Sequence, residues 1–285
     1  MNREPLAAAA QHIRRLAQTA HTSRLSDGQL LEAFARRQDE AAFATLIERY
    51  AHLVMGVSWR MLRHDQDAED VFQATFLVLA RKAVLLHRHP SVRGWLYQAA
   101  YRLAAQARRS RARWQARQHP KRPEAVPPAD FAARELCSIL DEELQRLPER
   151  QRLPLLLCYL EGQPRDQAAQ QLGLSLRTLE RRLEQGRERL RTRLLRRGVT
   201  LSGALLATDL ARQAATAGSA GLLRRTAPLA LLFAQGKHTT GAEAAVTLAD
   251  GLLKALLGSK LKVALLVLLM IAFGAGTAAR CVSGT

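Results

Sequence analysis

The stretch "QPRDQAAQQLGLSLRTLERRLEQGRERLRTRLLRRG", residues 163–198, decides how the chain is read. A short helical pattern carries adjacent Ala168 and Ala169, small enough to let a second helix come close, and Leu172 and Gly173 follow where a turn belongs. Ser175 is placed to cap a long second helix, whose inner side is Leu176, Leu179, Leu183 and Leu190. Its outer side carries Arg177, Arg181, Arg182, Arg187 and Arg189, relieved by Glu180, Glu184 and Glu188. That is the outline of a helix-turn-helix. Arginines near the start of such a helix can fork onto guanine edges in the major groove, and those further along meet phosphates. The plain alternative is a solvated face laced with Glu–Arg pairs at helical spacing. The capped glycine turn in front of the helix favours DNA.

Composition agrees. The 285 residues hold 43 Lys and Arg against 25 Asp and Glu, a formal net charge of +18, so phosphate-bearing partners are drawn to the surface. Hydrophobic residues make up 48% and aromatics 5%, which excludes a disordered basic tail and argues against a base-stacking sheet; the core is aliphatic. Cys137, Cys158 and Cys281 lie far apart, so neither a zinc site nor a disulfide framework is implied. The N-terminus has an alanine run broken by Arg14 and Arg15 and predicts a loose helical leader over 1–25, not an export signal.

Towards the N-terminus, apolar residues recur at three and four and β-rich runs are missing, so the expected fold class is all-α. Ser26–Asp27 and Asp39 offer N-caps for two helices, the second burying Phe43, Ile47, Tyr50 and Val54. A third, "DAEDVFQATFLVLARKA", turns Phe72, Phe76, Leu79 and Ala83 inward and places Asp67, Glu69 and Asp70 near its N-terminus, where the helix dipole favours acid. A fourth, "VRGWLYQAAYRLAAQARRSRARW", is capped by Ser91, buries Val92, Leu96, Ala99 and Leu103, and then turns basic through Arg108, Arg109, Arg111, Arg113 and Arg117. Tyr97 and Tyr101 are read as base-facing aromatics that can stack on unpaired bases, whereas Trp95 is read as core. These four helices make a first module over 26–117. Pro120, Pro123, Pro127 and Pro128 mark a linker over 118–131, and a second module over 132–198 ends in the helix-turn-helix. Pro154, inside a helical pattern, predicts a kink or a late helix start.

The group "DQDAED" also admits a metal-dependent nuclease reading through Asp65, Asp67, Glu69 and Asp70, but acids at a helix start are more often dipole partners or a docking face. No catalytic constellation and no glycine-rich phosphate loop is present, so no enzyme activity, cofactor or metal is expected.

The segments "DAEDVFQATFLVLARKA", "VRGWLYQAAYRLAAQARRSRAR" and "LPERQRLPLLLCYLEGQPRDQAAQQLGLSLRTLERRLEQGRERLRTRL" resemble an extracytoplasmic-function (ECF) sigma factor of bacterial RNA polymerase over about residues 26–198, in wording similar to the planctomycete-type group. The resemblance implies that Asp67, Glu69, Asp70, Gln73 and Arg81 dock on the clamp helices of the polymerase largest subunit. It also implies that loop 86–91 and the start of the fourth helix capture melted minus-ten bases, with Tyr97, Tyr101, Arg102, Arg108 and Arg109 as the DNA-facing set there. Arg177, Thr178, Arg181, Arg182 and Gln185 would read the minus-thirty-five duplex. Arg102 and Gln106 stand where many ECF factors carry Asn and Asp, so the bases read by that helix do not carry over. An anti-sigma protein is a further partner of the kind such factors have. A stand-alone helix-turn-helix regulator is the alternative; it needs no acidic docking helix and usually dimerises on a palindrome.

Beyond residue 198 the pattern thins. Residues 199–261 form an Ala/Leu-rich extension from which little is read. Residues 262–280, "KVALLVLLMIAFGAGTAAR", are uncharged from Val263 to Ala279, about 25 Å as a helix, and predict a single membrane crossing. Lys254, Lys260 and Lys262 precede it and Arg280 alone of the basic residues follows, which predicts cytoplasmic modules tethered to the inner membrane.

Overall fold

The computed structural model describes residues 22, 24–89, 91–118, 128–202, 220–237 and 241–256. Among them there is no strand. The helices are α1 (Asp27–Arg37), α2 (Glu40–Leu62), α3 (Asp65–Leu86), α4 (Val92–Gln118), α5 (Pro128–Gln145), α6 (Glu149–Leu155), α7 (Arg165–Gln171), α8 (Leu176–Leu195), α9 (Ala220–Ala234) and α10 (243–256).

Local chemistry sets the boundaries. The Ser26 hydroxyl accepts the Gln29 amide at 3.3 Å while the Gln29 side chain accepts the Ser26 amide at 2.9 Å, a complete capping box. Asp39 caps α2 through the Ala42 amide, and Ser91 caps α4 through the Gly94 amide at 3.0 Å. Gln38 and Arg63, both in the left-handed region, end α1 and α2. α3 runs one turn further than Lys82, to Leu86, so no base sits in its last turn.

The first module is a bundle of α1–α4 with an aliphatic and phenylalanine core. Phe43, Ile47, Tyr50 and Val54 of α2, Phe72, Phe76, Leu79 and Ala83 of α3, and Val92, Leu96, Ala99 and Leu103 of α4 are all buried. Phe34, Phe43, Phe72 and Phe76 form a connected ring cluster, with Phe43 and Phe76 edge to face. Gly28 of α1 lies so near the chain after α3 that a Cβ there would be 2.6 Å from the His87 carbonyl oxygen.

In the second module Pro154 sits inside α6, as its pattern foretold. Having no N–H, it removes a rung of the ladder, and the helix widens directly afterwards into a π turn over Leu156–Leu160, with the Glu161 amide bonded to the Leu156 carbonyl. α6 packs on α8 at Gly186, where a Cβ would meet Leu155 Cδ1 at 3.0 Å and the Gln151 carbonyl oxygen at 3.2 Å.

The modules are in contact. α5 packs on α2, and α6 touches α4. At this boundary the Arg60 guanidinium donates to both Asp141 oxygens at 3.2 and 3.0 Å, and the Tyr97 hydroxyl donates to Asp141 Oδ1 at 2.8 Å, with Asp141 and Tyr97 wholly buried. Arg93 of α4 pairs with Glu161 and lies over the Tyr50 ring at 5.0 Å.

The described helices of the extension are part of the fold. α9 lies along α2 and α3 and turns Leu222, Thr226, Ala227, Ala230 and Phe233 inward. α10 buries Ala245, Ala249, Leu252 and Leu253, and its Gly251 is so near Gln106 of α4 that a Cβ would be 2.5 Å from Nε2. Sequence reading left this region without a role because its apolar residues are too evenly spread to mark a face. The leader up to residue 21, linker residues 119–127 and the expected membrane crossing at 262–280 lie outside the described residues; among the described residues no helix is long and apolar enough to cross a membrane.

Candidate nucleic-acid interface and docking face

The helix-turn-helix is built as its residues dictate. Ala168 and Ala169 of α7 are buried, Gly173 takes φ +62°, and the Ser175 hydroxyl accepts the Thr178 amide at 3.3 Å to start α8. Leu179, Leu183 and Leu190 hold α8 inward, whereas Leu176, expected with them and the first residue of the helix, is 42% exposed. Arg177, Arg181 and Gln185 recur every four residues along the solvent side, with Thr178 half-buried beside them. Arg182 is half-buried and turns into a groove of about 980 Å³ between the modules.

That groove is shared. Tyr50, His89 and Arg93 of the first module line one wall and Glu149, Leu153 and Arg182 of the second the other. His89 belongs to the loop expected to capture melted bases; its ring Nδ1 lies 3.2 Å from the Ser91 amide. Burial, reinforced by the adjacent Asp27 carboxylate, holds the Tyr50 phenol far above its ordinary pKa.

On α4 the outcome is divided. Arg102, Arg108 and Arg109 are exposed, and Arg108 also donates to the Ser138 hydroxyl at 2.8 Å. Trp95 is half-buried against the core, and Tyr101 is half-buried, its phenol pushed up by burial and then by Glu142 and Asp141. Tyr97 is a correction: it has no exposed surface, its hydroxyl is bound to Asp141, and burial followed by that carboxylate keeps its phenol protonated. It was expected to face a base because it lies off the Leu96–Leu103 stripe. The second module supplies α4 with a second buried side, and Tyr97 points into it.

The acidic start of α3 is partly committed. Asp67 pairs with Arg111 of α4, and Asp65 accepts the Trp59 indole N–H at 3.0 Å. Glu69, Asp70 and Gln73 are half-exposed; partial burial raises the Asp70 pKa above the usual carboxylate value. Arg81, expected in the same set, donates to the Ala234 carbonyl at 3.4 Å and its guanidinium stands 4.9 Å over the Phe233 ring, so α9 already engages it. Among the described residues no three His, Cys, Asp or Glu side chains converge as a metal site, and of the four donors of the nuclease reading Asp65 is engaged by Trp59 and Asp67 by Arg111.

Comparison with known proteins places both modules. Residues 46–114 match the model of sigma-70 region 2, and residues 137–190 match that of sigma-70 region 4. The first match spans most of α2 and all of α3; the second covers α7 and α8 as far as Leu190. The chain is an RNA polymerase sigma factor. It is similar to the "ECF RNA polymerase sigma factor SigE" of Mycolicibacterium smegmatis, 27% identical over 190 residues that cover 60% of this chain and 74% of that protein. It is also similar to the "Probable RNA polymerase sigma factor RfaY" of Xanthomonas campestris pv. campestris, 28% identical over 174 residues, 55% of this chain and 42% of that one. The sigma factor is of the ECF type, with core polymerase and promoter DNA as the partners the family implies.

The residues that sequence reading missed here are Arg60 and Asp141. Arg60 carried a signal, since it is a lone charge in "VMGVSWRML" at a position the helical period turns inward; Asp141, in "LDEELQRL", looked like any solvated acid.

Proposed function

We propose that this sigma factor docks on the clamp helices of core polymerase through the acidic stripe of α3, takes melted minus-ten bases at loop 86–91 and the exposed side of α4, and reads the minus-thirty-five duplex with α8. The observation that carries the reading is the open row Arg177, Arg181 and Gln185 behind a capped glycine turn, on a module separate from the acidic helix. The chain contributes recognition, and bond-making belongs to the polymerase. We assign it to the planctomycete-type group on the wording of α3 and α4. The uncharged run Val263–Ala279 supports a membrane tether, with the modules on the cytoplasmic side and room for an anti-sigma protein to act there.

Reconstituted transcription tests the assignment. With core polymerase and a genomic promoter library, the full chain directs initiation from a defined subset. Asp70→Arg leaves duplex binding intact and abolishes association with core; retained association overturns the docking face. Arg181→Ala weakens promoter binding by about 1–3 kcal/mol at one base position if it reads an edge, or uniformly and with a smaller salt slope if it meets phosphate. An unchanged affinity removes Arg181 from the interface. Membrane fractionation tests the tether, which a wholly soluble full-length chain would remove.

A further inference from the structure

The stripe of α3 assigned to polymerase is not open along its length. At about 100° per residue, Asp67, Asp70, Gln73 and Arg81 of the docking set fall within an arc of about 120°, with Leu77, which is not one of that set, between Gln73 and Arg81. Its N-terminal half is half-exposed and Leu77 is wholly buried, while Arg81, itself exposed, is engaged by α9 through the Phe233 ring against its guanidinium. A bundle of α1, α2 and α4 would give α3 three neighbours; α9 is a fourth, supplied by the extension beyond both matched modules.

The contact is specific in its chemistry. α9 presents small side chains, Ala227 and Ala230, that allow close approach between larger anchors, Leu222 and Phe233. Its end is fixed by two polar contacts with the first module, Gln235 to Gln38 at 2.8 Å and Arg81 to the Ala234 carbonyl. The polar residues Arg224 and Arg225 and the ring of Pro228 face outward.

We infer that α9 is an intramolecular cover on the Arg81 end of the polymerase-docking stripe, and that core polymerase and α9 compete for that end. The inference rests on the assignment of that stripe in the proposed function. Competition means that core meets a chain of which only the uncovered fraction is competent, so its apparent Kd is the intrinsic value divided by that fraction.

The test uses the full-length chain in a Cys158→Ala, Cys281→Ala background. Gln38→Cys and Gln235→Cys, joined by a short bismaleimide, hold α9 in place, and binding to core polymerase is measured before and after joining. The joined chain binds core at least about tenfold more weakly while duplex binding through α8 is unchanged, as expected if the competent fraction falls by that factor. Phe233→Glu, which puts a charge into the buried contact, lowers the apparent Kd for core. Equal core affinity before and after joining overturns the cover, whatever Phe233→Glu does to folding. Asp70→Arg separates the two claims: if it abolishes core binding and joining has no effect, the docking face stands and the cover falls; if it leaves core binding intact, the docking face falls and the cover with it.

Discussion

Asp141 has no exposed surface and takes three hydrogen bonds, two from the Arg60 guanidinium and one from the Tyr97 hydroxyl. Burial alone would lower the Arg60 pKa, but the adjoining carboxylate more than reverses that and keeps it charged. Removing one partner strands the other charge, so Asp141→Ala is expected to cost about 3–5 kcal/mol in chemical denaturation, and an effect within about 0.5 kcal/mol would show the pair to be hydrated. Tyr97→Phe retains the ring and loses one bond to a charged group, about 1.5–3 kcal/mol. The sign of the pH effect follows from its raised pKa. The contribution of Tyr97 is fully present below the unfolded phenol value of about 10, and it is lost as pH rises from there towards the folded value, because the unfolded chain ionises first. Stability against pH therefore falls on the alkaline side in the parent, and less steeply in Tyr97→Phe. The same residue marks a limit of sequence reading. Periodicity identifies a helix's first buried stripe, as it did for Val92, Leu96, Ala99 and Leu103, but a second stripe created by another module leaves no signature within the helix itself.

At the level of elements, what was legible is what local chemistry encodes. The Ser26, Asp39, Ser91 and Ser175 caps, the Gly173 turn and the disturbance at Pro154 all follow from residues within a few positions of the feature. The close approach of α6 to α8 does not, because Gly186 reads as a weak point in a helix until its neighbour is known. Gly186→Ala improves helix propensity by about 1 kcal/mol in isolation, yet here it presses on the Gln151 carbonyl; a net loss of about 1–3 kcal/mol is expected by thermal denaturation. A gain would mean that α6 yields freely. The wide turn at Leu156–Leu160 is adjacent to this contact and is the place where such yielding would occur.

Across the molecule, the modules are packed together through α2, α4, α5 and α6. Two promoter elements read at once lie apart along the duplex, so the proposed function requires this boundary to separate in the initiating complex. Asp141→Ala should then populate the separated form in the free chain, seen as a larger radius of gyration in solution scattering; an unchanged radius would mean that the surrounding apolar contacts suffice. Net charge also predicts loss of duplex affinity with rising salt, steeper for the whole chain than for its Arg177→Ala, Arg181→Ala variant. Neither the docking of the modules nor the placement of α9 could be read beforehand, since both depend on pairs more than forty residues apart, such as Arg60 with Asp141 and Arg81 with Phe233.

The pressure of the His87 carbonyl on Gly28 leaves room there for a hydrogen atom and nothing larger. In the proposed function, a loop that moved towards α1 on taking a nucleotide would push the first turn of α1, and with it Asp27, which is held by Arg49 and Tyr50. The N-terminal helix would then act as a lever on strand capture: a fluorophore on its exposed side, at Arg36, would change its signal on DNA opening, and an unchanged signal would separate α1 from that step.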